Sequence, residues 1–290
     1  MRAGRAAVAP RAGQSLFTGL RDFLFPAACA ICREPLGDNT GPSGCICTLC
    51  WSRAAPLVEP ICSRCGHPRL SPNLPRPLAA ASGTADCVES AARLPQCRWC
   101  ARLPAFVRCA RSAFRVDRGT AGAMVHALKY NGWKLTAVEM ARRMSRLPFP
   151  PDVVEERTAL LAVPLSSIRL RERGYNQAEE LARGLSPHWH IPVWSDVLVR
   201  TRNTRSQVRL TPSERARNVS SAFSVADHTR SRLRGTHVIL VDDVITTAAT
   251  LNAAAAALAD GGVRILSYVS FGRAPDPGDR SDADLNSNDY

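Results

Sequence analysis

Lysine is almost missing from this chain: Lys129 and Lys134 are the only two among 38 basic residues, so arginine carries the formal net charge of +13. A compositional bias toward arginine accounts for that pattern by itself. So does a polyanionic ligand, phosphate or nucleic acid, because the planar guanidinium grips phosphate oxygens in pairs. Both readings stay open. Aromatic residues are scarce at 6%, which leaves few platforms for stacked bases. No run approaches the roughly 20 apolar residues of a membrane-spanning helix, so no membrane insertion is expected. The N-terminal stretch starts basic but lacks a continuous apolar segment before a cleavage site, and the expected location is cytoplasmic. Two nucleotide signatures are also missing, G-x-x-x-x-G-K-[ST] and G-x-G-x-x-G, which argues against a P-loop triphosphatase and against a dinucleotide-binding fold.

What is present is ordinary globular material, 45% hydrophobic and 22% charged over 290 residues, enough for one large domain or two modest ones. Residues 1–22 read as a loose leader, with a short amphipathic helix over 16–25 that places Leu16, Phe17, Leu20, Phe23 and Leu24 on one face. From Arg273 the sequence is rich in Asp, Pro, Gly and Ser, and 273–290 are expected to be a disordered tail.

Eight of the eleven cysteines form four C-x-x-C pairs: Cys29/Cys32, Cys47/Cys50, Cys62/Cys65 and Cys97/Cys100. Such a turn points two thiolates at one spot, which is half of a tetrahedral zinc site. Residues 23–109 therefore read as a double zinc-ribbon region holding one or two structural zinc ions. The polar, Pro-rich and Gly-rich filler builds no core, so metal would supply the folding energy. A disulfide framework would require an oxidising compartment, for which nothing in the sequence speaks. Sequential, cross-braced and nested pairings all remain open; the sequential one encloses loops of 14 residues (33–46) and 31 residues (66–96). Cys45 and Cys87 lie inside those loops and are substitute ligands. Cys109 reads as a buried thiol, and His67 as a surface histidine rather than a ligand. Four thiolates leave no open position for catalysis, so chemistry must come from elsewhere.

From about residue 110 cysteine gives way to alternating apolar runs and helical stretches. A helix over 120–130, capped by Thr120, is followed by a second over 135–147 and a buried strand over 159–164. A helix over 176–184 ending on glycine and a weak strand over 193–200 come next. The polar stretch 201–218 has no apolar period. Then a β-α-β unit appears: strand 237–242, helix 251–260, a Gly261-Gly262 stop and strand 263–271, the pattern of a parallel pair.

Within that unit, VILVDDVITTAAT (238–250) puts Asp242 and Asp243 at the carboxyl end of a buried strand, where open α/β sheets bind ligands. The small, threonine-rich loop that follows would aim N–H groups and hydroxyls at an anion, aided by the helix N-terminus. Paired carboxylates beside a phosphate cradle suit a ribose 5-phosphate, which offers a diol and a phosphate. A helix cap or a Mg²⁺ site would equally use an acidic pair.

This segment resembles the phosphoribosyl diphosphate signature of type I phosphoribosyltransferases. The chain as a whole resembles the ComF family, on LKYNG (128–132), VPLSSIRLRERGYNQAEELA (163–182), TRSQVRLTPSERARNVSSAF (204–223) and the C-x-x-C array with its CW and CSRCG elements. The resemblance spans about residues 20 to 272. It implies a small zinc-ribbon domain followed, over 110–272, by the α/β phosphoribosyltransferase fold, a parallel sheet flanked by helices. It further implies Asp242 and Asp243 as the catalytic pair holding the ribose hydroxyls, with Thr246, Thr247, Ala248, Ala249 and Thr250 around the 5-phosphate and Mg²⁺ accompanying phosphoribosyl diphosphate. Arg169, Arg171 and Arg173 would meet the pyrophosphate from a loop over 165–173. A hood over 200–217 would offer Arg205, Gln207, Arg209, Arg215 and Asn218. One departure stands out: Ala248 replaces the glycine usual in the family loop, and if that position needs a positive φ the methyl costs roughly 1 kcal/mol.

Two functions follow as expectations. One is a phosphoribosyltransferase linked to DNA uptake. The other is a non-enzymatic binding or regulatory protein, using its ribbons and arginines on single-stranded DNA or on DNA-uptake or helicase partners, with the phosphoribosyl pocket kept as a sensor or a vestige. Binding of that second kind would be salt-sensitive.

Overall fold

The computed structural model describes residues 27–36, 44–69, 97, 99–116, 119–130, 134–201 and 222–275. The first cysteine ribbon opens on a bridge between Ala28 and Pro35 and closes on the short helix α1 (Thr48–Ser52), capped by the Cys47 sulfur. The second is built on an Ile61–Pro68 bridge and returns through a 3₁₀ turn, Cys100–Arg102. Strand β1 (Val107–Arg115) follows, then helices α2 (Thr120–Tyr130), α3 (Lys134–Met144) and α4 (Pro151–Glu156) and strand β2 (Arg157–Ala162). Helices α5 (Ser167–Arg173) and α6 (Gln177–Trp189), the short strands β3 (Leu198–Arg200) and β4 (Phe223–Val225) and helix α7 (Arg230–Leu233) lead to β5 (His237–Ile245), α8 (Ala249–Asp260) and β6 (Ile265–Arg273).

The four long strands form one parallel sheet in the order β1-β6-β5-β2, while β3 and β4 pair separately and antiparallel. Their near-continuous apolar runs, such as Val238–Val241, suit strands covered on both faces. On one face Ile239, Val241, Val269 and Phe271 pack with Met124 and Leu128 of α2, Met140 and Met144 of α3, and Leu181 and Leu185 of α6. On the other, Leu161, Leu240, Leu266 and Tyr268 pack with Ala254 and Leu258 of α8.

Each ribbon completes a different face of this core. Trp51 of the first ribbon stands 5.9 Å from Phe114 and 6.2 Å, edge-on, from Phe271. Trp99 of the second is buried in the opposite cluster. Between them the chain runs along β1 and covers its open edge: Leu57 N donates to Ala113 O (2.9 Å), Arg115 N to Ala55 O (2.9 Å) and Ala110 N to Arg64 O (2.8 Å). The β2 edge is closed in the same way, by Leu160 N to Pro192 O and Trp194 N to Leu160 O, both 2.9 Å. Neither edge strand is left as a template for pairing with another chain.

Arginine fixes the second ribbon in place. The Arg111 guanidinium donates to Ser63 O (2.7 Å) and Pro148 O (2.8 Å), and Arg64 reaches Cys100 O (3.3 Å) and Pro104 O (2.9 Å). Arg273 donates to Cys65 O at 2.5 Å. These cations are tied to backbone carbonyls, so part of the arginine excess is architectural rather than ligand-facing.

Several elements differ from the sequence expectation. The 176–184 helix runs on to Trp189, because Gly184 is a contact and not a stop: a Cβ there would lie 2.6 Å from the Ala141 methyl, so glycine lets α6 press against α3. The stretch expected as a loop over 165–173 is mostly helix α5, capped by Ser166 and ended by Gly174 at φ 75°. Of the strand expected over 193–200 only Leu198–Arg200 forms, beside a single bridge from Val193 to Leu160. Thr120 is the first helical residue rather than the cap. Arg273, placed in the tail, is the last residue of β6 and 2% exposed. The 16–25 helix and the tail beyond 275 lie outside the described residues.

Candidate functional site

The four C-x-x-C pairs assemble sequentially, as Cys29/Cys32/Cys47/Cys50 and Cys62/Cys65/Cys97/Cys100, with all sulfurs of a tetrad within 4.8 Å of one another. A tetrahedral zinc with Zn–S of about 2.3 Å separates its sulfurs by about 3.8 Å. In the first tetrad Cys29–Cys50 and Cys32–Cys47 are both 3.8 Å apart; in the second Cys62–Cys100 is 3.4 Å and Cys65–Cys97 3.6 Å. The donor set and spacing fit zinc at both places. Backbone amides stabilise the thiolates: Cys47 N donates to Cys29 Sγ (3.4 Å) and Cys50 N to Cys47 Sγ (3.4 Å). At the second knuckle Gly66 takes φ 66°, and a Cβ on it would meet Ala110 O at 2.5 Å. Glycine after the second cysteine thus serves both the turn and the docking on β1.

Cys45 is buried but stands outside the tetrads, and Cys109 is a buried thiol against Ser267 Oγ at 3.5 Å. Cys87 lies outside the described residues. His67 is not a surface residue: it is 8% exposed, with its ring 5.3 Å from Trp99, and it belongs to neither tetrad.

At the carboxyl end of the sheet, neighbouring strand residues point to opposite faces, and this separates the two aspartates. Asp243 turns toward α2, where Lys129 Nζ lies 3.2 Å from its Oδ1; its Oδ2 is buried with no hydrogen-bond partner among the described residues. Asp242 borders a hollow lined by Val244, Ile245, Thr246, Ala248, Ala249, Thr250 and Leu251, and its Oδ1 accepts from Asp243 N at 2.8 Å. Burial and the adjacent Asp243 carboxylate push the Asp242 carboxyl up to about 7, against the pull of Lys129 and Arg200.

The turn into α8 carries Ala248 at φ 61°, ψ 7°, the left-handed conformation that glycine adopts without cost. Thr246, Thr247, Ala249 and Thr250 are exposed around it, and the N-terminus of the 12-residue helix α8 opens toward the same hollow. Thr247 Oγ1 accepts from Ala249 N at 3.4 Å.

Arg169 and Arg171 are exposed on α5; Arg173 is half-buried, with its guanidinium 5.0 Å over the Tyr130 ring. Arg205, Gln207, Arg209, Arg215 and Asn218 lie outside the described residues. Two cations escaped nomination in the sequence. Lys129 stood inside the LKYNG motif, and as one of only two lysines it carried a signal. Arg200, at the end of β3, acts on both Asp242 and Arg169 through its charge. Its position depends on the β3–β4 pairing, which no local pattern announces.

Comparison with known proteins decides the family. A double zinc ribbon domain matches residues 20–88 and a phosphoribosyl transferase domain matches 157–288. The DNA utilization protein YhgH of Salmonella typhi is 32% identical over 230 residues, 78% of this chain and 88% of that protein. The chain belongs to the ComF family. Competence protein F of Haemophilus influenzae is 36% identical over 138 residues (48% of this chain, 57% of that protein), and competence protein ComFC of Bacillus subtilis 36% over 112 (39% and 42%). The fold is the phosphoribosyltransferase-type parallel sheet with an N-terminal double zinc ribbon, and the cysteine tetrads support structural zinc. The ribbon match ends at residue 88, whereas Cys97 and Cys100 complete the second tetrad. Among the described residues no helix is long and apolar enough to cross a membrane.

Proposed function

We propose that this ComF-family chain binds phosphoribosyl diphosphate or a related ribose 5-phosphate at the carboxyl end of β5. The observation that carries the reading is the junction of the acidic pair with the left-handed turn into α8. Asp242, which borders the hollow, takes the ribose hydroxyls, with Asp243 behind it on the other face of the strand end, held by Lys129. The N–H groups and hydroxyls of residues 246–250 surround the 5-phosphate, where the helix N-terminus favours negative charge. Arg169, Arg171 and Arg173 approach the pyrophosphate from α5. The hood expected over 200–217 would add contacts, with Arg205, Gln207, Arg209, Arg215 and Asn218 as its candidates.

Mg²⁺ suits the same end of the strand, since hard cations take oxygen ligands and the buried Asp243 Oδ2 has no hydrogen-bond partner among the described residues. When bound it would neutralise pyrophosphate charge. Lys129 holds the other oxygen of Asp243 and fixes the carboxylate's orientation.

The relatives are named for DNA utilization and competence. We extend that setting to this chain as a cytoplasmic role in handling incoming DNA, alone or with uptake or helicase partners. The phosphoribosyl site then acts as a transferase centre, or as a sensor that governs binding of single-stranded DNA to the arginine surface.

Thermal melting with and without ligand tests the site. A ligand at 100 times its Kd adds about 2.7 kcal/mol to stability, roughly 5–10 °C for a chain of this size. That shift is expected with phosphoribosyl diphosphate plus Mg²⁺ for the parent and not for Asp242→Asn, Asp243→Asn. Equal shifts in both proteins would reject the site.

A further inference from the structure

The phosphate turn and the second cysteine tetrad are about 150 residues apart in sequence, yet one side chain joins them. Asn252, in the first turn of α8, donates from Nδ2 to Arg102 O at 2.7 Å, while its Oδ1 accepts from the buried Tyr268 hydroxyl at 3.1 Å. Its backbone N–H closes on Ala248 O at 2.8 Å, the carbonyl of the left-handed residue in the turn. Arg102 ends the 3₁₀ turn that begins on Cys100, a member of the tetrad. That turn is held on its other side by Arg64, from inside the Cys62–Cys65 knuckle, through Cys100 O at 3.3 Å. A continuous path of short contacts therefore runs from the sulfur cluster to the turn around Ala248.

We propose that Asn252 is a positioning residue that couples the second tetrad to the turn 246–250, so that metal in this tetrad sets how tightly the turn holds a 5-phosphate. The inference rests on the phosphoribosyl reading and adds a regulator to it. The physical reason lies in how zinc knuckles fold: without the ion, four thiols in a segment of little apolar content do not fix the Cys100–Arg102 turn. Asn252 then loses its acceptor, and of its two side-chain bonds only the one from Tyr268 remains. Loss of zinc, by chelation or by thiol oxidation with an external oxidant, would loosen the cradle without touching any phosphate contact.

The test uses the full chain as the parent, Asn252→Asp, Cys100→Ser and the double variant. Asp keeps the shape and the acceptor for Tyr268 but removes the donor to Arg102. Three quantities are measured: zinc bound per chain, the Kd for phosphoribosyl diphosphate with Mg²⁺, and amide hydrogen exchange over residues 249–254. The expected result is that Asn252→Asp keeps both zinc ions, binds about tenfold more weakly, as one lost hydrogen bond allows, and exchanges faster over 249–254. Cys100→Ser is expected to loosen the same amides in the parent and to add little in the Asn252→Asp background. Parent-like binding and exchange in Asn252→Asp would overturn the proposal, as would full additivity in the double variant. If the parent binds no ligand, the phosphoribosyl reading falls. The coupling is then judged on exchange alone, and unchanged exchange over 249–254 in Cys100→Ser overturns it.

Discussion

Gly66→Ala isolates the docking of the second ribbon on the sheet, because Gly44 supplies a matched control. Both glycines lie at nearly the same positive φ, 66° and 69°. A Cβ at Gly44 meets nothing within 4 Å, whereas at Gly66 it meets the Ala110 carbonyl oxygen at 2.5 Å. Alanine in the left-handed region costs about 1–2 kcal/mol at either site. At Gly66 the methyl must also push β1 away or turn the knuckle. Either movement stretches Ala110 N to Arg64 O, at 2.8 Å, and Arg273 to Cys65 O, at 2.5 Å. Loss of those two bonds, one of them from a guanidinium, adds about 2–4 kcal/mol. With roughly 2–4 °C per kcal/mol for a chain of this size, Gly44→Ala should melt about 2–8 °C below the parent. Gly66→Ala should melt at least about 4 °C lower still. Hydrogen exchange should rise along β1 and the 62–69 knuckle in Gly66→Ala only. Equal melting of the two variants would refute the docking argument.

Further outcomes follow from the same geometry. Ala248→Gly relieves about 1–2 kcal/mol of backbone strain but gives up a buried methyl, about 0.8 kcal/mol, and regains chain entropy of about 0.5–1 kcal/mol. Its melting temperature should stay close to the parent's while phosphoribosyl diphosphate binds more tightly; weaker binding in calorimetry would contradict the role given to this turn. Asp242 carries a carboxyl raised above its unfolded value by burial and by Asp243, so its contribution to stability is lost as pH rises from about 4 through about 7. Asp242→Asn should therefore gain melting temperature relative to the parent at pH 8 and not at pH 4, read from melts across that range. His237, 1% exposed with Nε2 2.9 Å from Ser267 Oγ, has its pKa lowered chiefly by burial. Its neutral form is the folded one, so stability should fall as pH drops below about 6.5, and His237→Gln should flatten that limb of the melting profile.

What the sequence disclosed follows its local chemistry. C-x-x-C turns and a near-continuous apolar strand are local signals, so the eight cysteines and the β5–α8–β6 unit were legible with small errors at their ends. The Ala248 strain was legible only through the family resemblance, which puts glycine where this chain has alanine; the residue does take φ 61°. Pairing of the cysteines was not, because three connectivities share the same spacing and only docking on the sheet selects one. Gly184 was read as a stop because a glycine at a helix end and one at a helix crossing look alike in sequence; the Ala141 partner lies 43 residues away. Arg111 was not singled out and Arg273 was read as the start of the tail, since nothing local shows that Ser63 O and Cys65 O await them. Lys129 was passed over for the same reason, its partner Asp243 being on a distant strand.

Calorimetric titration of the zinc-loaded chain with phosphoribosyl diphosphate and Mg²⁺, beside Asp242→Asn, Asp243→Asn, tests the central claim most directly. Saturable binding at one site per chain, lost in the double variant while its zinc content and melting cooperativity persist, is the predicted result. No heat from the parent, or unchanged binding in the variant, would contradict the phosphoribosyl site at the end of β5.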